Sequence, residues 1–283
     1  MSKVLERTVQ VDGLATRYLA AGSGAPLLLL HGLAEDGSDW RAIMPALGRH
    51  RRVYAPDLPG LAGGVDPLGD YSSTALARLV ARFLDAVDVR RAAVVGNSLG
   101  GLVALRLALS EPARVSALGL VAPVGLGPEV SPFLRAAALP GVGEGWTLWG
   151  TTPLGARQRA WSRALLLFHD PRRVPPAWLR TQTRLARRPG FLEASLAALR
   201  AHVDLRGQKE VLAEQLGRLD APTLVLWGQH DRVLPVTQGQ QAVARLGDGA
   251  LALIPACGHL PQVERPEQVA QRLADFLLDR DHA

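Results

Sequence analysis

Cysteine is nearly absent from this 283-residue sequence, in which Cys257 is the single example. One thiol excludes an internal disulfide bond and a cysteine cluster that holds a metal ion. Long apolar segments are also lacking: the longest run of leucine, isoleucine and valine, Leu27 to Leu30, is far too short to cross a bilayer. The first ten residues carry no apolar core of a secretory signal. We therefore expect a cytoplasmic protein that binds neither a metal ion nor a membrane.

Nucleotide-binding motifs are missing too. No Gly-x-Gly-x-x-Gly follows a strand pattern and no Gly-Lys-Ser or Gly-Lys-Thr loop occurs, so we expect no cofactor. The net charge is +6, and eleven arginines against five acidic residues between positions 123 and 205 account for all of it. That segment lacks the basic and aromatic interleaving of nucleic-acid readers, so we expect no nucleic-acid partner. Its charge indicates solvated helix faces, or a field that attracts anionic small molecules.

What the sequence does contain is an alternation of strand and helix patterns. After an initial meander with an Asp12-Gly13 turn, each strand pattern is separated from the next by a helix pattern. This alternation predicts an α/β fold with a mostly parallel sheet and helices on both faces. The predicted strands are Arg7–Val11, Thr16–Ala21, Pro26–His31, Arg52–Asp57, Ala92–Gly96, Val115–Val121, Thr223–Gly228 and Leu251–Ile254. The helices predicted among them are Trp40–Leu47 with Asp39 as its cap, a helix capped by Ser72 or Ser73 that ends near Val87, Gln240–Leu246 and Glu267–Leu278.

The alternation stops between residues 123 and 205, where only helical patterns occur. They cover Arg157–Phe168, Trp178–Ala186 and Leu192–Val203. A structureless connection of this length is uncommon in a compact domain, so we predict an inserted helical subdomain. The expected organisation is a core domain formed by residues 1–122 and 206–283, with residues 123–205 as a helical cap.

A Gly-x-Ser-x-Gly pattern lies directly after the strand pattern Ala92–Gly96. Its serine, Ser98, is followed by a helical pattern, so the predicted order is strand, sharp turn and helix. Such a turn strains the serine backbone and exposes its hydroxyl, while glycines on either side let neighbouring backbone approach closely. The pattern predicts that Ser98 is a nucleophile.

A serine nucleophile needs a base within hydrogen-bond reach and an acid that orients the base. Asp231 follows the strand Thr223–Gly228, and His259 follows the next strand, so the chain order is serine, acid, histidine. Because the carboxyl ends of parallel strands meet at one edge of the sheet, we predict a triad of Ser98, His259 and Asp231.

For the other polar residues at strand ends we predict structural roles and not catalytic ones. His230 precedes the acid directly, and His31 is expected to brace the loop that follows it. Asp57 belongs to an Asp-Leu-Pro-Gly turn ahead of the nucleophile, where aspartate has ordinary backbone roles.

The tetrahedral oxyanion of acyl transfer requires two hydrogen-bond donors. One is expected to be the backbone N–H of Leu99, directly after the nucleophile. The other is expected from the loop that begins at His31-Gly32, where we assign the backbone N–H of Leu33.

Four segments together resemble the α/β-hydrolase fold superfamily: His31-Gly32, Gly96-Asn97-Ser98-Leu99-Gly100-Gly101, Trp227–Asp231 and Gly258-His259. The resemblance covers nearly the whole chain and implies an eight-stranded, mostly parallel sheet, a helical cap and no metal or organic cofactor. Haloalkane dehalogenases and epoxide hydrolases of the superfamily have aspartate at the position of Ser98, which argues against those branches.

The resemblance implies a carboxylesterase-like enzyme that cleaves carboxylic esters through an acyl-enzyme. The expected partner is a small-molecule substrate with an apolar acyl or aryl part, and the arginine-rich cap leaves open that this substrate is anionic. The second interpretation is a hydrolase of carbon–carbon bonds in meta-cleavage (ring-fission) products, which the Gly-Asn-Ser-Leu-Gly-Gly sequence and the arginine-rich cap favour. Two residues speak against it. Leu260 stands where that group has tryptophan. That group also has an arginine in the cap that binds the substrate's carboxylate, and the spacing puts Gln182 nearest to its position, between Arg180 and Arg184. A lactonase, a cofactor-free haloperoxidase and a non-catalytic ligand receptor rank lower.

Overall fold

An eight-stranded sheet forms the centre of the molecule. The computed structural model describes residues 2–58 and 69–279. The strands of this sheet are β1 (Leu5–Val11), β2 (Leu14–Ala21), β3 (Ala25–Leu30), β4 (Arg51–Pro56), β5 (Ala92–Asn97), β6 (Val115–Val121), β9 (Thr223–Gly228) and β10 (Gly249–Ile254). Their order is β1-β2-β4-β3-β5-β6-β9-β10. Strands β1 and β2 pair antiparallel, as do β2 and β4, and the remaining pairs are parallel.

The central strands are apolar on both faces, since helices cover both. In β3, Leu28 and Leu30 belong to the core on one face, whereas Leu27 and Leu29 belong to the core on the other. Every residue of β5 is buried. Continuous apolar runs of this kind are typical of parallel strands covered on both sides. The fold class predicted from the sequence is confirmed.

Six helices flank the sheet within the described residues. They are α1 (Met44–Leu47), α2 (Ser73–Ala86), α3 (Leu99–Ser110), α9 (Val236–Val243), α10 (Pro261–Glu264) and α11 (Pro266–Asp279). Helix α3 is buried on most of its surface because it lies between the sheet and α2. Ser72 caps α2, with its hydroxyl accepting a hydrogen bond from the N–H of Ala75 at 3.2 Å.

Five helices occupy the segment between β6 and β9. They are α4 (Pro132–Ala138), α5 (Val142–Thr151), α6 (Pro153–Leu167), α7 (Pro176–Ala186) and α8 (Phe191–His202), followed by the short hairpin of β7 (Val203–Asp204) and β8 (Gly207–Gln208). The sequence analysis found three of these helices and missed α4, α5 and the hairpin. The glycines of α5 concealed its pattern, although close packing requires the glycine at position 143 and favours the one at position 150. A Cβ on Gly143 would overlap Ala137, and one on Gly150 would lie 2.8 Å from Leu192.

The predicted helix Trp40–Leu47 is wrong in its extent and its cap. A 3₁₀ helix covers Gly37–Trp40, and the side chain of Asp36, not Asp39, accepts the capping hydrogen bond from the N–H of Ser38 at 3.0 Å. Helix α1 begins separately at Met44 because Pro45 fits only the first turn of a helix. The predicted turn Leu58-Pro59-Gly60 continues into residues outside those described.

Among the described helices, none combines the length and the apolar character needed to cross a lipid bilayer.

Candidate active site

Ser98 lies at the junction of β5 and α3 in a strained backbone conformation. Its φ is 54° and its ψ is −118°, outside the regions that residues with a Cβ prefer. Two glycines make this turn possible. A Cβ on Gly96 would overlap the carbonyl oxygen of Gly100, and a Cβ on Gly100 would overlap that of Leu30 in the neighbouring strand. Ser98 therefore lies in a tight turn in which a side chain at position 96 or 100 would overlap neighbouring backbone.

Leu99 is the first residue of α3, and its backbone N–H belongs to the helix end that has no intrahelical acceptor. The carbonyl of Ser98 accepts hydrogen bonds from the N–H groups of Gly101 and Val124, both at 3.0 Å. These bonds fix the peptide between Ser98 and Leu99. The Leu99 N–H is thus held in place directly after Ser98.

Asp231 and His259 are hydrogen-bonded to each other. The Oδ2 of Asp231 lies 2.7 Å from the Nδ1 of His259, and it also accepts from the indole N–H of Trp227 at 3.1 Å. The other oxygen, Oδ1, accepts from the backbone N–H of Val233 at 2.7 Å and of Leu234 at 3.0 Å. A buried carboxylate requires such partners. This arrangement presents the imidazole with Nδ1 held and Nε2 available as a base.

The backbone of His259 is tied to two parts of the fold. Its N–H donates to the carbonyl of Leu167, at the end of α6, at 2.7 Å. Its carbonyl accepts from the amide of Asn97 at 3.2 Å, and the same amide donates to Val121 at 3.0 Å. Because Asn97 directly precedes Ser98, the histidine loop and the nucleophile turn are neighbours.

Glu264 reinforces the histidine loop. Its carboxylate accepts the backbone N–H of Gly258 at 2.8 Å, of His169 at 3.1 Å and of Asp170 at 2.9 Å. Glu264 is buried, so one carboxylate joins the residue before His259 to the segment that follows α6. The sequence analysis did not identify Glu264, because its partners are backbone groups that are remote in sequence.

The loop after β3 lies against Ser98. A Cβ on Gly32 would lie 3.3 Å from the Cβ of Ser98, so the backbone of Gly32 lies beside Ser98, and Leu33 is the next residue in the chain. The N–H of Gly32 donates to the Oε2 of Glu35 at 3.2 Å, and Ala34 has a positive φ of 58°. The loop therefore has a fixed, sharply turned backbone.

Arg163 of α6 connects the helical insertion to this loop. Its Nη2 donates to the carbonyl of Leu33 at 3.3 Å and to the Oε1 of Glu35 at 3.1 Å. The side chains of Glu35 and Arg163 are 3% and 17% exposed, so the pair is largely removed from water. Neither residue was identified from the sequence, where an isolated Glu and an isolated Arg 128 positions apart give no signal.

Two further acids lie close to Glu35. Asp36 has the guanidinium of Arg184 at 3.6 Å, and Asp39 is buried in a 3₁₀ helix. Burial, followed by the negative charges of Glu35 and Asp36, raises the pKa of Asp39 well above its usual range. No group of three potential ligands arranged for a metal ion occurs in the described part of the chain.

The other polar residues singled out in the sequence lie in structural contacts. His31 is fully buried, with Nε2 accepting from the N–H of Leu58 at 2.8 Å. Asp57 accepts from Arg17 at 2.9 Å and from the N–H of Gly37. His230 stacks on His169, with ring centroids 4.0 Å apart.

A cavity of about 390 Å³ lies between the insertion and the loop after β3. Leu33 and Ala34 form its boundary on the core side, and helices α4, α5, α6 and α8 enclose the remainder. Arg180 and Arg184 do not line this cavity; they line a separate groove formed by residues of α6 and α7, whereas Gln182 is fully buried.

Similarity to known proteins agrees with this geometry. Residues 25–266 match the family model described as the alpha/beta hydrolase fold. A 2-hydroxy-6-oxo-6-(2'-aminophenyl)hexa-2,4-dienoic acid hydrolase from Metapseudomonas resinovorans is 30% identical over 283 residues, covering 99% of this chain and 93% of that protein. The chain belongs to the α/β-hydrolase fold family.

Two other relatives show how widely the family varies in activity. The dihydrolipoyllysine-residue acetyltransferase component of an acetoin cleaving system from Pseudomonas putida is 33% identical, covering 95% of this chain and 68% of that protein. The crystal structure of a membrane phospholipase A, described as a bacterial virulence factor, superposes with a TM-score of 0.80 at 31% identity, covering 99% of this chain and 87% of that one.

Proposed function

We propose that this protein is a serine hydrolase in which Ser98 is the nucleophile, His259 the general base and acid, and Asp231 the residue that orients His259. The observation that supports the proposal most directly is the Asp231–His259 hydrogen bond at the sheet edge where Ser98 stands in its strained turn. Residues 123–205 form the cap in this proposal, and residues 1–122 and 206–283 form the core. The contacts of α6 with both the Leu33 loop and the His259 loop support that division.

The reaction proceeds through a covalent acyl-enzyme. His259 accepts the hydroxyl proton as the Ser98 oxygen attacks a substrate carbonyl carbon, and the N–H groups of Leu33 and Leu99 donate to the oxyanion. Loss of one such donor costs about 2.7–4 kcal/mol of transition-state stabilisation. The bond to the leaving group then breaks, His259 protonates that group, and water releases the acyl part as an acid.

For the substrate, we propose a carbon–carbon bond hydrolase acting on an anionic ring-fission product, which was the second interpretation of the sequence. This chain is similar to the dienoic acid hydrolase named above along almost the full length of both proteins. That similarity supports ranking carbon–carbon bond cleavage ahead of ester cleavage. The leaving group is then a dienolate carbon, which takes the bonding electron pair and a proton.

Ester hydrolysis is the second candidate. Leu260, and not tryptophan, follows the catalytic histidine, and the similarity to a phospholipase A is of the same order as that to the dienoic acid hydrolase. The two candidates share one catalytic apparatus and differ in the leaving group that the cavity accepts.

A paired assay separates them. We expect faster turnover of a 2-hydroxy-6-oxo-hexa-2,4-dienoate than of p-nitrophenyl esters of two to eight acyl carbons, compared as kcat/KM. Ser98→Ala abolishes both activities with an unchanged far-ultraviolet circular dichroism spectrum, and labelling by a fluorophosphonate disappears. Ser110→Ala, at the exposed end of α3, is the matched control and keeps both. Faster ester cleavage reverses the order of the candidates, and an active Ser98→Ala protein refutes the triad.

A further inference from the structure

Three consecutive peptide groups in the loop after β3 are each held by a different side chain. The first carries the N–H of Gly32, which donates to the Oε2 of Glu35 at 3.2 Å. The third carries the carbonyl of Leu33, which accepts from the Nη2 of Arg163 at 3.3 Å. The peptide between them, from Gly32 to Leu33, contains the N–H of Leu33, a proposed donor to the oxyanion.

His31 holds this middle peptide. Its Nε2 accepts from the N–H of Leu58 at 2.8 Å, so its Nδ1 carries the hydrogen and donates to the carbonyl of Gly32 at 2.9 Å. The peptide is trans and planar, with its N–H and C=O pointing in opposite directions, so fixing the carbonyl of Gly32 also fixes the direction of the Leu33 N–H. Among the described residues, that N–H has no hydrogen-bond acceptor.

Glu35 and Arg163 are joined to each other as well as to the loop. The same Nη2 that donates to the carbonyl of Leu33 also donates to the Oε1 of Glu35 at 3.1 Å. Both side chains are largely removed from water. A buried ion pair is a weak source of stability, because the cost of removing both charges from water can exceed the attraction between them. Stability therefore does not explain why this pair is buried here.

Attachment of the insertion to the core does not depend on this pair alone. The end of α6 is joined to the histidine loop by the N–H of His259, which donates to the carbonyl of Leu167 at 2.7 Å. Glu264 binds two backbone N–H groups of the segment that follows α6. The Glu35–Arg163 pair adds contacts with the two peptides on either side of the one that carries the Leu33 N–H.

We propose that Glu35 and Arg163 are positioning residues that hold the N–H of Leu33 in the direction needed to bind the oxyanion, so that the insertion completes the site through α6. The proposal rests on the serine hydrolase function above. Glu35 occupies the N–H of Gly32, which leaves the N–H of Leu33 as the free donor, and Arg163 holds the following peptide from the insertion. An oxyanion donor acts only when it lies about 2.7–3.1 Å from the developing charge, so a small shift of this loop lowers the rate.

A phenylpentyl trifluoromethyl ketone tests the oxyanion site directly. The Ser98 oxygen bonds to its carbonyl carbon, His259 takes the hydroxyl proton, and the carbonyl electron pair becomes an oxyanion. The alcohol of the same carbon skeleton enters the same cavity but forms no adduct. The ratio of the two dissociation constants, measured by isothermal titration calorimetry, therefore reports binding of the oxyanion separately from binding of the apolar chain.

The main variant is the double substitution Glu35→Gln/Arg163→Met, which removes both charges together and so leaves no buried charge of the pair without its partner. We expect the ketone to bind roughly 10- to 100-fold more weakly, as for a donor displaced by about 1 Å, and the alcohol to change less than about 3-fold. The kcat for the better substrate class is expected to fall by a similar factor with KM nearly unchanged, which a general loss of stability would not produce.

The single variants show whether the two residues act through one loop. Glu35→Gln and Arg163→Met are each expected to weaken ketone binding about as much as the double variant does, because either change frees the same loop. Arg157→Gln, which replaces an exposed arginine of the same helix, is the control and is expected to change ketone binding less than about 3-fold. Losses in the single variants that multiply in the double variant contradict a shared role, and if a single variant does not fold, the double variant decides.

The same measurement distinguishes failure of this proposal from failure of the proposed function. If the wild-type protein binds the ketone more tightly than the alcohol and the double variant keeps that preference, the hydrolase function stands and the positioning role falls. If the wild-type protein binds the two compounds equally, Ser98 forms no adduct, and the hydrolase function falls together with the positioning role.

Discussion

The Oδ2 of Asp231 lies 2.7 Å from the Nδ1 of His259, and the two side chains are 0% and 3% exposed. The pair is therefore removed from water, although its members come from loops after two different strands. The carboxylate is held by three further N–H groups, from Trp227, Val233 and Leu234. This fixes the ring of His259 before any substrate binds.

Asp231→Asn is expected to lower kcat by roughly 10⁴-fold while leaving KM nearly unchanged, because an amide cannot hold the imidazole in the required tautomer or stabilise its protonated form. Steady-state kinetics with the better of the two substrate classes measures this. Asp220→Asn, which replaces an exposed carboxylate in the loop before β9, is the control. A loss of less than about 10-fold in Asp231→Asn contradicts its orienting role.

Gly100→Ala is expected to destabilise the fold by about 3 kcal/mol or more, because the added Cβ overlaps the Leu30 carbonyl oxygen and neither backbone can yield without disturbing the sheet. Urea denaturation gives the free energy of unfolding. The control is Gly145→Ala in α5, where a Cβ meets nothing within 4 Å. That change is expected to stabilise by about 0.5–1 kcal/mol. Similar values for the two variants would contradict the packing argument.

Glu264→Gln is expected to reduce both stability and kcat. A neutral amide has one acceptor oxygen for the N–H groups of Gly258, His169 and Asp170, so a buried donor loses its partner, at a cost of about 1–3 kcal/mol. We expect kcat to fall because the loop that carries His259 loosens. Urea denaturation and steady-state kinetics, with the exposed Glu267→Gln as the control, measure the two effects. An unchanged kcat in a destabilised variant would limit Glu264 to a structural role.

Asp39→Asn is expected to stabilise the protein in a pH-dependent way. Burial and the charges of Glu35 and Asp36 raise the pKa of Asp39 in the folded state. The folded state therefore binds more protons than the unfolded state, so the wild-type free energy of unfolding falls as the pH rises from the unfolded pKa through the folded one. The variant does not titrate there and is expected to be more stable at pH 8 by about 1–2 kcal/mol. Near pH 4 the difference should shrink, and a difference constant with pH would contradict this account.

The fold could be predicted from local patterns because the apolar residues that the sequence shows are those that the tertiary structure buries. Leu27 to Leu30 form a continuous apolar run because both faces of β3 are buried, and the sequence shows this run directly. Helices α4 and α5 were missed because glycines and prolines, some required by close packing, interrupt their apolar pattern. The helix predicted at Trp40–Leu47 was wrong because Asp36 caps a separate 3₁₀ helix there and Pro45 fits only the first turn of the helix that follows.

The residues of the candidate site were also predicted only in part from the sequence. Ser98, Asp231 and His259 each follow a strand, so their order in the chain and the parallel sheet suffice to predict that they meet. Glu35, Arg163 and Glu264 join segments about 95 to 130 positions apart through carboxylates that bind guanidinium or backbone N–H groups. No local pattern encodes such contacts. Arg180 and Arg184 showed the converse, since they were noted from spacing and line a separate groove of α6 and α7 instead of the cavity.

The sequence by itself determined the sheet, the nucleophile turn and the order of the three proposed catalytic residues, because strand periodicity and glycine positions are local properties. The tertiary structure alone decided which arginine of the insertion bonds to the loop after β3 and which acids hold the loops of the site. Those outcomes depend on burial, and the cost of burying a charge is set by whatever the rest of the chain brings next to it.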